Sequence, residues 1–276
     1  MTKTVIKITL AAAALTLAAS FAGCGKEKPT VGKVGEQAAS EPRSFRAEDF
    51  VDKTFAILSG SSFDAVARET IGVKLIKYYN SPAESVEAVK NGEADATLIE
   101  EPVARKFAAQ NKELAVIYPP VDIENYASIF PKKDNGALRD EFNVFLLKTR
   151  SDGIYDDMIH RWVDSPESPA MPEIKLNPTK KRKLIFVTSD CDPPFAFKTE
   201  DGKVEGFDVE LALRFAQAQG YDLEVKVMEF PDMIPAIQAG SADFASNLIT
   251  ITDERKTFVD FSEPLYYGGT VVVARK

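Results

Sequence analysis

The chain has 276 residues, 45% of them hydrophobic and 28% charged, which is the composition of a folded globular protein. Its formal net charge of −8 at pH 7 offers no basic surface for phosphate groups, so nucleic acid is excluded as a partner. One histidine, His160, and two cysteines supply no ligand cluster for zinc or a similar metal. We therefore expect neither a metal site nor a cofactor.

The first 24 residues have the pattern of an export signal. Lys3 and Lys7 precede an apolar run over 8–19 that is too short to span a membrane. The following Phe21-Ala22-Gly23-Cys24 resembles the lipobox of bacterial lipoproteins, with phenylalanine in place of the usual leucine. We predict a signal peptide over 1–23 and a lipid on Cys24 that holds the protein at the extracytoplasmic face of a bacterial membrane, in the periplasm or on the cell surface. A plain secretory signal with a chance cysteine is the alternative.

Residues 24–48 are polar and lack hydrophobic periodicity, which predicts a flexible tether. From 49 to 164, short apolar runs alternate with segments of helical periodicity. The predicted strands are 55–58, 75–79, 96–99 and 114–117. One predicted helix ends near 71, and the others span 82–90, 102–109, 143–148 and 152–163. This alternation with short connections predicts an α/β fold, with a mostly parallel sheet flanked by helices.

Residues 165–182 are rich in proline and predict a stiff, extended linker. A second α/β segment follows over 183–276. Its predicted strands are 184–188, 195–198, 222–227 and 244–246, its predicted helices are 207–219 and 232–238, and Asp201-Gly202 predicts a hairpin turn.

The two segments share a short sequence pattern. Residues 88–96 read AVKNGEADA and residues 236–244 read AIQAGSADF. Each combines a helix end, a glycine that can adopt a left-handed conformation, and an aspartate before a buried strand. We therefore predict two similar lobes, with a ligand in the cleft at the carboxyl ends of their strands.

A corner between a strand and a helix is predicted within 243–262. Thr252 has the character of an N-cap, and Arg255 follows it in the first helical turn. Backbone N–H groups beside a guanidinium suit a carboxylate ligand. An ion pair of Arg255 with a neighbouring surface acid is the alternative.

Several motifs resemble the bacterial extracellular solute-binding proteins of polar amino acid ABC transporters, family 3. The second segment carries PPFAF (193–197), DGKVEGFDVELA (201–212), ITITDER (249–255) and VDFSEPLYY (259–267), which are similar to the first lobe of that family. The first segment carries GSSFDAVA (60–67), AVKNGEADATLIEEPVA (88–104) and SDGIYDDMIHRW (151–162), which are similar to its second lobe. The resemblance implies a two-lobe, type II periplasmic-binding-protein-like fold.

The lobe order is reversed relative to the family. A circular permutation explains this order, with the proline-rich linker joining the family's usual ends; a truncated or rearranged gene is the alternative. Under permutation we expect one closed pair of lobes, with Lys276 and the region around Phe50 close together at the hinge.

The resemblance also implies the roles of charged site residues. Arg255 should bind the α-carboxylate of an amino acid bidentately, helped by Thr250 and by the backbone at Ser62 in the turn that begins at Gly60. Glu100 should bind the α-ammonium group, with Glu101 as the alternative.

Further site residues concern the side chain of the ligand. Phe230 should pack over its aliphatic part, and Leu248 should make contact through the backbone. Asp192 replaces an aromatic residue of the family and, with Asp190, predicts an acidic pocket unless both carboxylates only cap the turn. Asp208 is expected to be a helix-start residue or a ligand contact.

The resemblance implies a monomeric, non-enzymatic receptor that captures an amino acid and delivers it to an ABC transporter permease. The acidic pocket favours a cationic or polar ligand over glutamate or aspartate. Two alternatives stay open: a dehydratase-like enzyme on the same fold, and a sensory receptor without transport.

Overall fold

The structure is a computed structural model that describes residues 46–165, 169–180 and 182–276. The predicted signal peptide, Cys24 and most of the predicted tether lie outside the described residues. All described residues fall within one compact unit, 44–276.

The described strands alternate with helices in only part of the chain. The strands are β1 (Thr54–Leu58), β2 (Leu75–Tyr79), β3 (Ala96–Glu100), β4 (Leu114–Tyr126), β5 (Ile129–Phe130), β6 (Lys183–Thr188), β7 (Cys191–Asp192), β8 (Ala196–Lys198), β9 (Val204–Glu205), β10 (Asp222–Val227), β11 (Phe244–Ala245), β12 (Asp260–Phe261) and β13 (Tyr266–Arg275). The α-helices are α1 (Phe63–Ala65), α2 (Pro82–Lys90), α3 (Glu101–Gln110), α4 (Ala137–Ser151), α5 (Ile154–Ile159), α6 (Phe207–Gln219), α7 (Met233–Ala239) and α8 (Asp253–Lys256). The π-helices Val66–Ile71 and His160–Asp164 extend α1 and α5, and 3₁₀ turns lie at Ala47–Phe50, Asp134–Gly136 and Phe230–Asp232. From β1 to β4 the strands alternate with helices, as predicted, whereas β4 and β5, β6 to β9, and β12 and β13 follow one another directly.

Two five-stranded sheets define two lobes. The N-lobe sheet has the order β2-β1-β3-β13-β4, and the C-lobe sheet has the order β10-β6-β11-β5-β12. In each sheet three strands are parallel, and the last two are antiparallel to their neighbours. Helices flank both sheets, which confirms the expected α/β class with two lobes.

The lobes exchange strands at a hinge. Strand β4 of the N-lobe continues into β5 of the C-lobe, and β12 of the C-lobe continues into β13 of the N-lobe. At the hinge Tyr126 pairs with Tyr266, whereas Arg275 pairs with Leu114 at the other end of β13. Lys276 therefore lies at the far end of the strand and not at the hinge, where we expected it. The predicted strand 114–117 was likewise too short, because β4 is held by β13 along its length.

The helices after the hinge return to the C-lobe. Phe142 and Phe145 of α4 pack against Phe215 of α6, with ring centroids 5.1 and 5.5 Å away, and Phe142 lies 6.1 Å from Phe244 of β11. Aromatic rings pack against one another at these separations in other protein cores. This aromatic core fixes residues 137–164 on the lobe built mainly from the second segment.

The repeated sequence pattern has the same structural role in both lobes. Helix α2 ends before Gly92 and helix α7 ends before Gly240, both with left-handed φ angles of +79° and +72°. The carboxylates of Asp95 and Asp243 then each accept a 2.8 Å hydrogen bond from a backbone N–H of an earlier, parallel strand of their sheet, β1 or β6. The pattern therefore ends a helix and fixes the next strand beside the first.

Candidate functional site

A small cavity lies between the lobes, beside the hinge. Seven of the predicted ligand-binding residues line it: Ser62 and Glu100 from the N-lobe, and Asp192, Phe230, Leu248, Thr250 and Arg255 from the C-lobe. The eighth, Gly60, lines an adjoining cavity of about 280 Å³ that shares Arg255. The central space measures about 10 Å³, which is room for roughly one water molecule. The lobes are therefore closed in this structure.

Arg255 joins the two lobes. The Thr252 hydroxyl accepts a 3.1 Å hydrogen bond from the Arg255 backbone N–H and caps α8, as predicted. The guanidinium is buried and donates to the Thr250 carbonyl at 2.9 Å and, across the cleft, to the Gly60 carbonyl at 2.8 Å. It pairs with backbone oxygens and not with a surface acid, so further N–H groups of the fork can meet a ligand.

Gly60 has a left-handed backbone with φ +74°, which directs its carbonyl toward Arg255. A Cβ atom there would lie 3.4 Å from Pro231 of the other lobe. That distance is an ordinary van der Waals contact, so the left-handed turn is what favours glycine here.

Glu100 is a buried carboxyl group at the end of β3, with 7% of its surface exposed. Burial raises its pKa well above the usual range, the charges of Asp192 and Glu124 raise it further, and Arg255 opposes the shift. No side chain of the described residues donates a hydrogen bond to it. A ligand ammonium group beside this buried carboxyl group would therefore strongly stabilise its ionised form. Glu101, the alternative, forms a surface ion pair with Arg105 at 3.0 Å.

Asp192 is held inside the C-lobe. The Ser189 hydroxyl and the Asn247 amide, the latter at 3.0 Å, donate to its Oδ2 atom. Burial raises the pKa of Asp192, and these hydrogen bonds oppose the shift. Its side chain contacts other side chains instead of capping the backbone turn, which leaves its second oxygen for a ligand.

Beside Asp192 the cleft opens into a cavity of about 320 Å³. Four acids line it, Glu84, Asp190, Asp192 and Glu229, and the described lining includes neither lysine nor arginine. The walls of this part of the cleft therefore carry a negative potential.

Phe230 and Leu248 contribute in different ways. The Phe230 ring centroid lies 5.5 Å from the Arg255 guanidinium carbon, a cation–π distance. Leu248 has φ +48° and is 6% exposed. A left-handed leucine costs on the order of 1 kcal/mol, so the segment around it is held by its surroundings in a conformation that glycine would adopt freely.

Glu124 is a site residue that the sequence analysis missed. It lies on β4, and its Oε1 accepts a 2.6 Å hydrogen bond from the Ser62 hydroxyl. Ser62 in turn lies 3.1 Å from the Thr250 hydroxyl of the other lobe. The segment around Glu124, VDIENY, carries no motif, and only the pairing of β4 with β13 brings it to the cleft.

Asp208 is buried near the hinge and away from the central cavity. Ser246 donates to its Oδ1 at 3.1 Å, while its Oδ2 has no hydrogen-bond partner among the described residues. Burial raises its pKa from 3.8 to about 7. The folded state therefore holds a proton that the unfolded chain releases between these values.

We expect this proton to make stability depend on pH. The contribution of Asp208 is fully present below pH 4 and is lost as the pH rises through about 7. Thermal unfolding between pH 4 and 8 should show a smaller loss of stability in Asp208→Asn than in wild type. The exposed Asp156→Asn is the matched control, and equal pH profiles of wild type and Asp208→Asn would contradict the assignment.

Within the part of the chain that the structure describes, no three His, Cys, Asp or Glu side chains are grouped to hold a metal ion.

None of the helices in the described ranges is both long and apolar enough to cross a membrane.

Residues 184–276 match the sequence model of the bacterial extracellular solute-binding proteins, family 3. Among curated proteins, the arginine-binding extracellular protein ArtP of Bacillus subtilis (strain 168) is 42% identical over 96 residues, which are 35% of this chain and 37% of ArtP. The L-cystine-binding protein TcyJ of Escherichia coli (strain K12) is 34% identical over 102 residues, 37% of this chain and 38% of TcyJ.

A solved structure of an ancestral arginine-binding protein bound to arginine is 45% identical with a TM-score of 0.30, covering 30% of this chain and 37% of that one. The match to the curated relatives thus spans little more than a third of their length. The similarity of this chain to the bacterial extracellular solute-binding proteins, family 3, thus covers residues 184–276.

Proposed function

We propose that the protein is a receptor for a single amino acid, which it captures between its two lobes. The observation that carries the proposal is the juxtaposition of Arg255 and Glu100 on opposite sides of one buried cavity. An amino acid carries a carboxylate and an ammonium group on one carbon, so a guanidinium and a carboxyl group facing each other match both. The named relatives bind amino acids, which supports the same role.

Capture requires the lobes to separate and close again. The central space of about 10 Å³ is far smaller than an amino acid. Two of the contacts that join the lobes here are polar, the hydrogen bond from Arg255 to the Gly60 carbonyl and the one between the Ser62 and Thr250 hydroxyls. A hinge of two crossing strands permits such a motion, and a ligand that touches both lobes shifts the equilibrium toward closure.

The ligand class follows from the acidic part of the cleft. A cationic side chain that extends from the central cavity toward Asp190 and Asp192 meets negative charge, whereas a carboxylate meets repulsion. We propose lysine or arginine ahead of neutral polar amino acids, with glutamate and aspartate binding poorly. Calorimetric titration of the twenty amino acids tests both the function and this order.

We expect Asp192→Asn to weaken arginine binding by on the order of 1–3 kcal/mol, because a buried charge-assisted hydrogen bond is lost. Glutamate binding should improve relative to arginine in the same variant. Asp201→Asn, in an exposed turn far from the cleft, is the control and should leave both affinities unchanged. Tight glutamate binding by wild type, or an unchanged preference in Asp192→Asn, would remove the basis for this ligand class.

The cellular setting is a further part of the proposal. We propose that the lipid on Cys24 anchors the receptor outside the cytoplasmic compartment and that it delivers its ligand to an ABC transporter permease as a monomer. The description of the matched family as extracellular supports this location. A circular permutation remains our interpretation of the lobe order, because each sheet takes strands from both segments. The named relatives are binding proteins, which favours a receptor over a dehydratase-like enzyme.

A further inference from the structure

Three hydroxyl groups surround the carboxylate of Glu124, which is 6% exposed. Ser62 donates to Oε1 at 2.6 Å, and Thr270 and Tyr126 donate to Oε2 at 2.7 and 3.1 Å. A carboxylate only accepts hydrogen bonds, so all three hydroxyl protons point toward Glu124.

This arrangement fixes the direction of the hydrogen bond between the lobes. The hydroxyl oxygens of Ser62 and Thr250 lie 3.1 Å apart, and each hydroxyl has a single proton. Because the Ser62 proton is directed to Glu124, Ser62 must accept here and Thr250 must donate. The hydrogen bonds therefore run from Thr250 to Ser62 and from Ser62 to Glu124, an arrangement that we call the relay. Both hydroxyls present only lone pairs to the cavity that they line.

We infer that Glu124 is a specificity-determining residue of the amino acid site and acts through the hydroxyls of Ser62 and Thr250 without touching the ligand. Oxygens whose protons are engaged accept from an ammonium or guanidinium group but cannot donate to a carboxylate. Glu124 thus makes this wall of the cavity favour a positively charged ligand group. The inference rests on the proposed function, since it assumes an amino acid in the same cavity.

The test is a double-mutant cycle in the full chain. Arginine and 5-guanidinopentanoate, which is arginine without its α-ammonium group, are titrated calorimetrically into wild type, Glu124→Gln, Ser62→Ala and the double variant. A glutamine side chain has one acceptor oxygen and an NH2 group with two donor protons, so the hydroxyls at the NH2 position can no longer donate to it and at least one must turn. We expect the preference for arginine over 5-guanidinopentanoate to fall about tenfold in Glu124→Gln, the usual effect of one hydrogen bond to a charged group. Ser62→Ala should show a similar fall, and the double variant no further one.

The double-mutant cycle distinguishes an effect that passes through the Ser62 hydroxyl from the effect of removing the charge of Glu124. If Glu124→Gln lowers the preference equally with and without the Ser62 hydroxyl, Glu124 acts only as a distant charge and the inference is overturned. An unchanged preference in a folded Glu124→Gln also overturns it. Should Glu124→Gln fail to fold, Ser62→Ala and Thr250→Val carry the test, and an unchanged preference in both counts against the relay. Failure of wild type to bind any amino acid overturns the proposed function itself, and the inference with it.

Discussion

Replacing Arg255 with alanine should abolish amino acid binding while the fold stays intact. The guanidinium is 8% exposed and is held by the carbonyls of Thr250 and Gly60 in the orientation that a carboxylate needs. Without it, the ligand carboxylate enters a buried site unpaired, at a cost of about 2–5 kcal/mol. Calorimetric titration with the best ligand of wild type measures the loss.

Two variants accompany this measurement. Lys256→Ala changes the neighbouring residue, whose ammonium group forms only a surface ion pair with Asp253, and should bind as wild type does. Arg255→Lys keeps the charge but loses the planar fork, so most of the affinity should still be lost. Wild-type affinity in Arg255→Ala would show that the carboxylate binds elsewhere.

Replacing Glu210 with alanine should destabilise the protein by about 3–5 kcal/mol, the cost of removing one partner from a buried ion pair. Glu210 is fully buried on α6 and accepts hydrogen bonds from Arg161 at 2.8 Å, Arg214 at 2.8 Å and the Trp162 indole at 2.6 Å. Its loss leaves the buried indole N–H without its partner and frees the last helix of the first segment from the C-lobe. Urea unfolding measures the change in the free energy of unfolding.

The control is the other acid on the same arginine. Asp157 pairs with Arg161 at 2.7 Å on the surface, with 60% of its side chain exposed. Asp157→Ala should therefore cost less than about 1 kcal/mol. Equal losses of unfolding free energy in Asp157→Ala and Glu210→Ala would show that the buried cluster contributes no more to stability than the surface ion pair.

Local sequence signals predicted the bounds of a helix well where a residue that starts or ends a helix was present. Helix α2 and helix α6 have the predicted bounds, because Pro82 starts one at its first turn and Gly220, at φ +71°, ends the other. Strands β5 and β12 have two residues each, too few to show a hydrophobic period, and were not predicted. Their partners lie in the other segment, so no local pattern could indicate the pairing.

The candidate site likewise contains residues that local motifs indicated and one that they did not. Arg255 and Glu100 stand in motifs that allowed the sequence to indicate them as candidate ligand-binding residues, and both line the central cavity. Glu124 was missed because its importance comes from contacts with Ser62 and Thr270, which lie far from it along the chain. For Ser62 we predicted a ligand contact through the backbone, and the structure adds a side-chain contact that the sequence did not indicate, since its hydroxyl joins Glu124 to Thr250.

The position of β13 has a consequence for protein synthesis. This strand lies between β3 and β4 and is buried from Gly268 to Ala274, yet it is synthesised after both of them. Until it arrives, both neighbouring strands expose unpaired edges to other chains. A premature stop just before Tyr266 would therefore split the N-lobe sheet in two, because β3 and β4 would have no strand between them. Such a product would be prone to aggregate through those edges.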